Sequence, residues 1–489
     1  MKAAVRHRDD ARTGAFLSTD PRHLVLAGAV ALISFGQAWF RWVDWRKGFG
    51  DMAVIDQVAW LISRGKSPEI SVLHWNAFGD HLAPAYLLFG GLYRIHATVA
   101  WVFLAEALAF ALSVVALPQM LSALGLEDRL KTAFLIAFVC NPLMWNAVAF
   151  AGHTTTMAIP FLIIGITAAT RGRAGVTALA ALALLLCRDD LGLAIAAIAA
   201  IGFFNDRERR WTRWGAIAAG ALLWEAIGGE IALALGVDRW WLQRFTYLGT
   251  GPIDVMTHPF HSVPALITYL LSSEPLRQLL IWLATVAFLP VLAPKRLLVV
   301  VLVALPVLAA QDGYVHSPFF HQGAVMMPFV FWAAVGGAQR WQSITGKPLH
   351  ALLVPAMAIC FFFLYGPIAG GNFERSQVAR DDGEQAISQL APNARLLAQS
   401  DVRERTAQRE MVLVYPYGFA PDCKAVPRVN GSRNVAVWAP SEIDTIVVLQ
   451  PRTETEQAQL DAVVRSPCFA DLAPPEHVGD LLVYRRTGA

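Results

Sequence analysis

Residues 174–204 read AGVTALAALALLLCRDDLGLAIAAIAAIGFF. Two apolar arms of about 14 residues flank the triplet Arg188-Asp189-Asp190, and each is shorter than the about 20 residues a helix needs to cross roughly 30 Å of hydrocarbon. The arms therefore extend into their flanking loops or sit inside a helical bundle, with the charges at a hairpin turn. Ionisable groups at membrane depth are costly, so they pair with one another or face a cavity. Two readings of the triplet stay open: a tight hairpin closed by an internal ion pair, or a charged patch at a cavity mouth. In the second, Arg188 suits a phosphate oxygen, and Asp189 or Asp190 suits a metal ion or an acceptor hydroxyl.

The rest of the chain sets the class. Of 489 residues, 56% are hydrophobic and 16% charged, and the mean hydropathy is +0.46. Such a composition lies outside the range of soluble domains and predicts an α-helical polytopic membrane protein. Eleven apolar segments qualify as spans: 24–40, 97–117, 132–150, 155–170, 174–187, 191–204, 214–236, 277–293, 297–311, 322–338 and 348–368. When they alternate across the membrane, the cationic loops holding Arg129, Lys131, Arg171, Arg173, Arg207, Arg209, Arg210, Arg213, Lys295, Arg296, Arg340 and Lys347 fall on the side of the amino tail. By the positive-inside rule that side, with about 17 Lys and Arg against about 9 opposite, is the cytoplasm. The expected layout is a cytoplasmic tail (1–23), a transmembrane domain (24–369) with a large first outer loop (41–96), and an extracytoplasmic domain (370–489), all in the plasma (inner) membrane. The basic amino end reads as leading into an uncleaved first span, since no small-residue cleavage site follows Phe40.

The segment from 370 to 489 changes character. ARLLAQSD (394–401), MVLVYPY (411–417), IDTIVVLQ (443–450) and LLVYRR (481–486) read as strands, with helices near 375–391 and 454–465, which predicts a small soluble α/β domain. Cys423 and Cys468 are its cysteines, and a disulfide between them suits an extracytoplasmic setting, whereas Cys140, Cys187 and Cys360 read as span residues. Asn430-Gly431-Ser432 reads as a turn rather than a glycosylation site.

The first outer loop is patterned rather than polar filler. Met52, Ile55, Val58, Ala59 and Ile62 recur at helical spacing, predicting an amphipathic helix over 51–63 that lies at the membrane interface, followed by a second helix near 83–95. Asp51 falls at the first helix's start, where it reads as a cap or as a site carboxylate, and Asp56 lies at the margin of the apolar face. Asp80-His81 reads as a solvated turn or as an acid/base or metal pair. His74, His81, His153, His258, His261, His316 and His321 all fall in outer loops, a one-sided distribution that favours a shared polar cavity. Their spacing matches no standard zinc signature.

The order of a first span, GDMAVIDQVAWLISRGK (50–66), GDHLAP (79–84) and CRDDLGL (187–193) resembles the uncharacterised bacterial membrane-protein family DUF2079 over about residues 24–340. The most specific parts are Asp56-Gln57 with Trp60 and Gly65, Asp80-His81 with Pro84, and Arg188-Asp189. That family is similar in layout to the GT-C glycosyltransferases, whose first outer loop carries two interfacial helices and an essential acidic residue. The acidic pair closing the first span in GT-C mannosyltransferases is absent in that form, since Asp51 and Asp56 are five apart. The resemblance implies transfer of a sugar from a polyprenyl-phosphate donor to an envelope glycan, lipid or protein acceptor at the outer face. It makes Asp51, Asp56, Asp80 and His81 catalytic candidates. Gln57, His153, Arg188, Asp189, Asp190, His316 and His321 become substrate-binding candidates, with a divalent metal ion as the candidate cofactor and no nucleic-acid partner. No glycine-rich nucleotide loop is present, which suits a lipid-linked donor. The rival readings are a transporter or flippase, in which the same charges line a substrate or proton path, and a non-catalytic assembly or sensing protein built around the outer domain.

Overall fold

The computed structural model describes residues 16–487 other than 207, 209, 238, 239, 368, 372, 417–422, 424–426, 431, 432, 437 and 438. The chain divides into two compact units.

The first unit comprises Met1–Ala38, Phe103–Gly228 and Arg239–Asn372 and is helical. Helices occupy each of the eleven apolar segments. Among the described residues, four stretches are long and apolar enough to cross a membrane: Pro21–Val43, Ala100–Ala123, Asp128–Ala149 and Trp211–Ala234. Pro21–Val43 and Trp211–Ala234 are only 22% and 17% buried, and they turn Leu24, Val25, Leu32, Ile33, Leu222, Leu223 and Ile227 outward. An outward apolar face of that extent is what lipid covers. At the centre lie Thr154–Thr170 and Gln322–Thr345, buried along most of their length. Small residues permit this, since a side chain at Gly337 would run into the Leu289 carbonyl. Around them Phe110, Phe134, Phe138, Trp145 and Phe331 meet edge to face, with Phe138 and Phe331 centred 5.3 Å apart.

The third long stretch is two helices, Asp128–Val139 and Pro142–Ala149. Asn141 causes the break: it is extended before Pro142, and its Oδ1 accepts from the Leu143 N–H at 3.0 Å, capping the second piece. The arms around the charged triplet keep their sequence-expected length as Ala174–Cys187 and Gly192–Asn205, joined by the 3-10 turn Asp189–Leu191. One face of the first arm is buried while Leu179, Leu182 and Leu186 stay exposed. Pro252–Thr257 and Pro259–Leu270 carry an exposed apolar stripe of Met256, Phe260, Val263, Ile267 and Leu271.

The second unit comprises Trp39–Val102, Gly229–Asp238 and Phe373–Ala489, so residues 41–96 fold with the carboxyl-terminal segment rather than with the helical unit. Its centre is a five-stranded sheet formed by β3 (Leu396–Ala398), β4 (Val412–Val414), β7 (Thr445–Leu449), β8 (Glu476–Val478) and β9 (Leu481–Arg485). The order is β4-β3-β7-β9-β8, parallel across β4, β3 and β7 and antiparallel across β7, β9 and β8. Period-two alternation builds two cores. Leu396, Ala398, Val412, Val447, Leu481 and Val483 line one face, and Leu397, Leu413, Ile446, Val448 and Leu482 line the other. The four strands read from sequence are present; β8 and the hairpin of β5 (Pro427–Asn430) and β6 (Arg433–Ala436) were not foreseen. Gly431 and Ser432 of the triplet read as a turn lie outside the described residues. Cys423 and Cys468 form a disulfide.

Trp45 from the first loop is part of the first core, and a side chain at Gly383 would strike its ring. The predicted loop helices are Gly50–Ser63 and Ala85–Ile95, packed so closely that a side chain at Gly90 would meet Ile62. A short hairpin, β1 (Glu69–Ile70) with β2 (Trp75–Asn76), lies between them. The expectation that 51–63 floats on the membrane interface is corrected. Met52, Ala53, Ile55, Asp56, Gln57, Val58, Ala59 and Leu61 are buried in protein.

Candidate functional site

In the helical unit, the charged triplet and the histidines meet around the start of Thr154–Thr170. Arg188 caps the end of the first arm in an extended backbone conformation. Its Nε donates to Asp190 Oδ2 at 2.9 Å and its Nη1 to Thr155 Oγ1 at 3.1 Å. Arg188 is largely enclosed, with 16% of its side chain exposed, while Asp190 keeps 47%, so the carboxylate is the open end of the pair. Asp189 and Glu225 interlock: a side chain at Gly228 would strike Asp189, and one at Gly192 would strike Glu225. Asp189 and Asp190 both act electrostatically on Glu225, so these three carboxylates lie near one another, with Asp190 paired to Arg188.

Two residues before Thr155, His153 stacks on His321 with ring centroids 3.6 Å apart and on Phe150 at 4.9 Å. Its Nδ1 lies 3.0 Å from the Phe150 carbonyl. Tyr314 and Phe320 continue this aromatic wall. Below it, Glu106 accepts the Gly152 and His153 N–H groups at 3.1 and 3.0 Å through Oε1. Its Oε2 is buried and meets no hydrogen-bond donor among the described residues, and the same holds for Glu225 Oε2. Sequence reasoning missed both glutamates. The signal was there, because Glu106 and Glu225 each interrupt an apolar span, and ionisable residues inside spans are rarely idle.

His316 does not join the stack. Its ring is fully buried, with Nε2 held 3.0 Å from the Val307 carbonyl and Tyr269 alongside at 6.3 Å. His316, expected as a substrate-binding residue, thus lies apart from His153 and His321, inside the helical unit.

The remaining candidates lie in the second unit. Asp56 is 2% exposed, and its Oδ1 accepts from Tyr93 Oη at 2.8 Å and from Gln408 Nε2 at 3.0 Å. Burial pushes its pKa up to about 6, against the pull of those two hydrogen bonds. Gln57 Nε2 donates to Ser71 Oγ at 2.6 Å and to the Arg409 carbonyl at 3.0 Å, and its Oε1 accepts the Ser71 N–H at 3.0 Å. Both side chains are thus enclosed by partners that tie the first loop to residues 408–409. Asp56 and Gln57, the first expected as catalytic and the second as substrate-binding, are both buried and hydrogen-bonded within this unit. Asp51 lies in the first turn of Gly50–Ser63, whose N-cap is Phe49, and acts electrostatically on Arg403. Asp80 closes the helical turn Ala77–Asp80, capped by Asn76, and lies 4.0 Å from His81 Nε2, at the outer limit of an ion pair.

Beside this loop is a buried cationic and aromatic cluster. The Arg405 guanidinium lies over Trp42 at 4.0 Å, Phe49 at 5.1 Å and Trp45 at 5.3 Å, with Glu404 at 3.7 Å. Glu404 also accepts the Phe49 N–H at 3.3 Å, and Arg403 donates to the Gly50 carbonyl at 3.0 Å. Cation–π contacts of this kind hold the loop aromatics against the helix Ser400–Arg405.

Among the described residues no three His, Cys, Asp or Glu side chains are grouped so as to hold a metal ion. The assembled chemistry in the helical unit is thus a guanidinium sharing its position with an accessible carboxylate and a hydroxyl, backed by a histidine stack. No curated protein and no solved structure matches the chain. The family model described as predicted membrane protein (DUF2079) matches residues 49–430, and the chain belongs to this family of predicted membrane proteins of unknown function.

Proposed function

We propose that this protein is a membrane glycosyltransferase of GT-C type that moves a sugar from a polyprenyl-phosphate donor to an envelope glycan, lipid or protein acceptor. The observation carrying the reading is the Arg188–Asp190 pair, in which an enclosed guanidinium is neutralised by a half-exposed carboxylate beside the Thr155 hydroxyl. A donor phosphate competes for the guanidinium and releases Asp190. Asp190 then accepts the proton of the acceptor hydroxyl as its oxygen forms the bond to the anomeric carbon. The bond from that carbon to the phosphate oxygen breaks, and Arg188 compensates the charge left on polyprenyl phosphate. His153 and His321 form the wall against which a sugar ring stacks. The base in this scheme is Asp190 rather than Asp51 or Asp56. The Cys423–Cys468 disulfide suits an oxidising, extracytoplasmic setting for the sheet domain, as does the cationic bias of the opposite loops.

The test is transfer from radiolabelled polyprenyl-phosphate sugars in membranes expressing wild type, Asp190→Asn, Arg188→Gln or Asp56→Asn at matched protein levels. Transfer falling about 100-fold or more in the first two variants and persisting in the third supports the assignment. Transfer indifferent to Asp190 and Arg188 overturns it. The transporter reading draws on one specific observation, the buried Glu106 with an unmet Oε2 among the described residues, which is the form a proton-binding carboxylate takes in a pump or symporter.

A further inference from the structure

In the helical unit, the chain ahead of Ser273–Ala284 forms two short helices, Pro252–Thr257 and Pro259–Leu270. From Pro259 to Ser273 the sequence PFHSVPALITYLLSS contains no Asp, Glu, Lys or Arg. A helix turns about 100° per residue, so Phe260, Val263, Pro264, Ile267 and Leu271 fall on one side of it, within about 100° of one another. Phe260 is 96% exposed and Leu271 70%, and Met256 on the preceding helix is 80% exposed.

The opposite side is fastened to the protein. Ser262 Oγ donates to the Leu248 carbonyl at 2.8 Å, and Tyr269 Oη donates to the Ala310 carbonyl at 2.7 Å. Tyr247, its ring 4.9 Å from that of Tyr269, donates to the Ala309 carbonyl at 2.9 Å. Two phenols thus hold the helix against the end of Pro294–Leu308 and leave the apolar stripe facing outward.

The ends of the segment bear on what covers the stripe. Asp254 lies 2.8 Å from His258 before it, and Glu274 lies 2.7 Å from Arg277 after it, both pairs at the surface. Twelve helical residues span about 18 Å, short of the about 30 Å of a hydrocarbon core. Ionic ends that close together belong on the same face of a bilayer. A protein interface carries about one hydrogen bond per 100–200 Å2, and the stripe offers no side-chain donor or acceptor to make one. Leu276 and Leu280 continue the exposed apolar surface into Ser273–Ala284. An uncharged stripe between ionic ends matches the boundary between headgroups and acyl chains.

We propose that residues 252–271 form a membrane-surface element, lying parallel to the bilayer with this stripe inserted among the acyl chains of one leaflet. Through Tyr247 and Tyr269 it fixes the depth of residues 309–321, which carry Tyr314, Phe320 and His321 of the aromatic wall. The proposal does not rest on the glycosyl-transfer reading, since a chain without transferase activity would seat its stripe in the same way.

The test is a nitroxide scan of the full chain reconstituted in vesicles of phosphatidylcholine and phosphatidylglycerol. Cys140, Cys187 and Cys360 are replaced by alanine and the Cys423–Cys468 disulfide is kept. Single labelling sites are then introduced as Phe260→Cys, His261→Cys, Val263→Cys, Ile267→Cys, Thr268→Cys and Leu271→Cys. The readout is the ratio of collision rates with oxygen, which concentrates among acyl chains, and with a water-soluble nickel chelate. The ratio at 260, 263, 267 and 271 should be at least about threefold that at 261 and 268, with no trend along the segment. A ratio that changes steadily from 260 to 271 describes a crossing segment. Ready collision with nickel at 260 and 267 describes a face in water, and weak collision with both reagents there describes a face covered by protein, a second copy included. Each of these three outcomes overturns the proposal. If the alanine parent fails to fold, Phe260→benzoylphenylalanine in the chain with its native cysteines decides the question. Photocrosslinking to radiolabelled lipid supports the seat, and crosslinking to protein alone, or to neither, overturns it.

Discussion

Asp56→Asn separates the structural position of Asp56 from a catalytic one, and its size can be worked out. Burial raises the folded pKa to about 6 from 3.8. One pKa unit corresponds to about 1.4 kcal/mol, so holding the ionised carboxylate inside the fold costs up to about 3 kcal/mol. The sign follows from the raised value. Below the unfolded pKa both states are protonated and the contribution to stability is intact; it is lost as pH rises through the folded pKa, and above that the full cost applies. Asparagine keeps an Oδ1 for Tyr93 and Gln408 but cannot ionise. Its amide adds N–H groups needing partners, which offsets about 1 kcal/mol. The variant should therefore match or trail wild type at pH 4 and exceed it by about 2 kcal/mol at pH 7.5. Hydrogen exchange of the helix Gly50–Ser63 in the intact protein, corrected for intrinsic rates, reads this as greater protection in the variant at the higher pH only. A variant that is less protected than wild type at pH 7.5, or a difference that does not change with pH, refutes the account of an enclosed, desolvated carboxylate.

Two further outcomes test the second unit. Arg405→Met should destabilise it by about 3–5 kcal/mol, because Glu404 loses its neighbour inside the protein; adding Glu404→Gln should recover part of the loss in a double-mutant cycle of thermal unfolding. Replacing Cys423 and Cys468 together by serine opens a loop spanning 45 residues and should cost about 4 kcal/mol by chain entropy, measured as a lower denaturation midpoint that reductant no longer shifts.

The membrane class was legible because apolar length is a one-dimensional property, and every apolar segment contains helix. The strands containing Leu396–Ala398, Val412–Val414, Thr445–Leu449 and Leu481–Arg485 were legible for a similar reason: short apolar runs bounded by polar residues. Glu476–Val478 was not, since two of its three residues face solvent and leave no pattern. The helix Gly50–Ser63 shows a deeper limit. An apolar face signals that something covers it but not whether the cover is lipid or protein, so Asp56 at its margin looked available when Gln408, 352 residues away, encloses it. Of the residues that the fold brings together here, charge and placement in the sequence singled out Arg188, Asp190, His153 and His321, while Glu106 was overlooked because only the fold brings the Gly152 and His153 amides to it.

Trp45 completes the same core as Val483, and this couples folding to the time needed to make the chain. At about 5–20 residues per second, the about 440 residues between them take roughly 20–90 s to synthesise. For most of that interval, until residue 405 has been made, Trp42, Trp45 and Phe49 have no Arg405 guanidinium over them, and to its end they have no complete sheet. A nascent loop holding three bare aromatic rings is a standing target for a chaperone or a protease. A chain ending before β9 never completes the core that Trp45 shares with Val483.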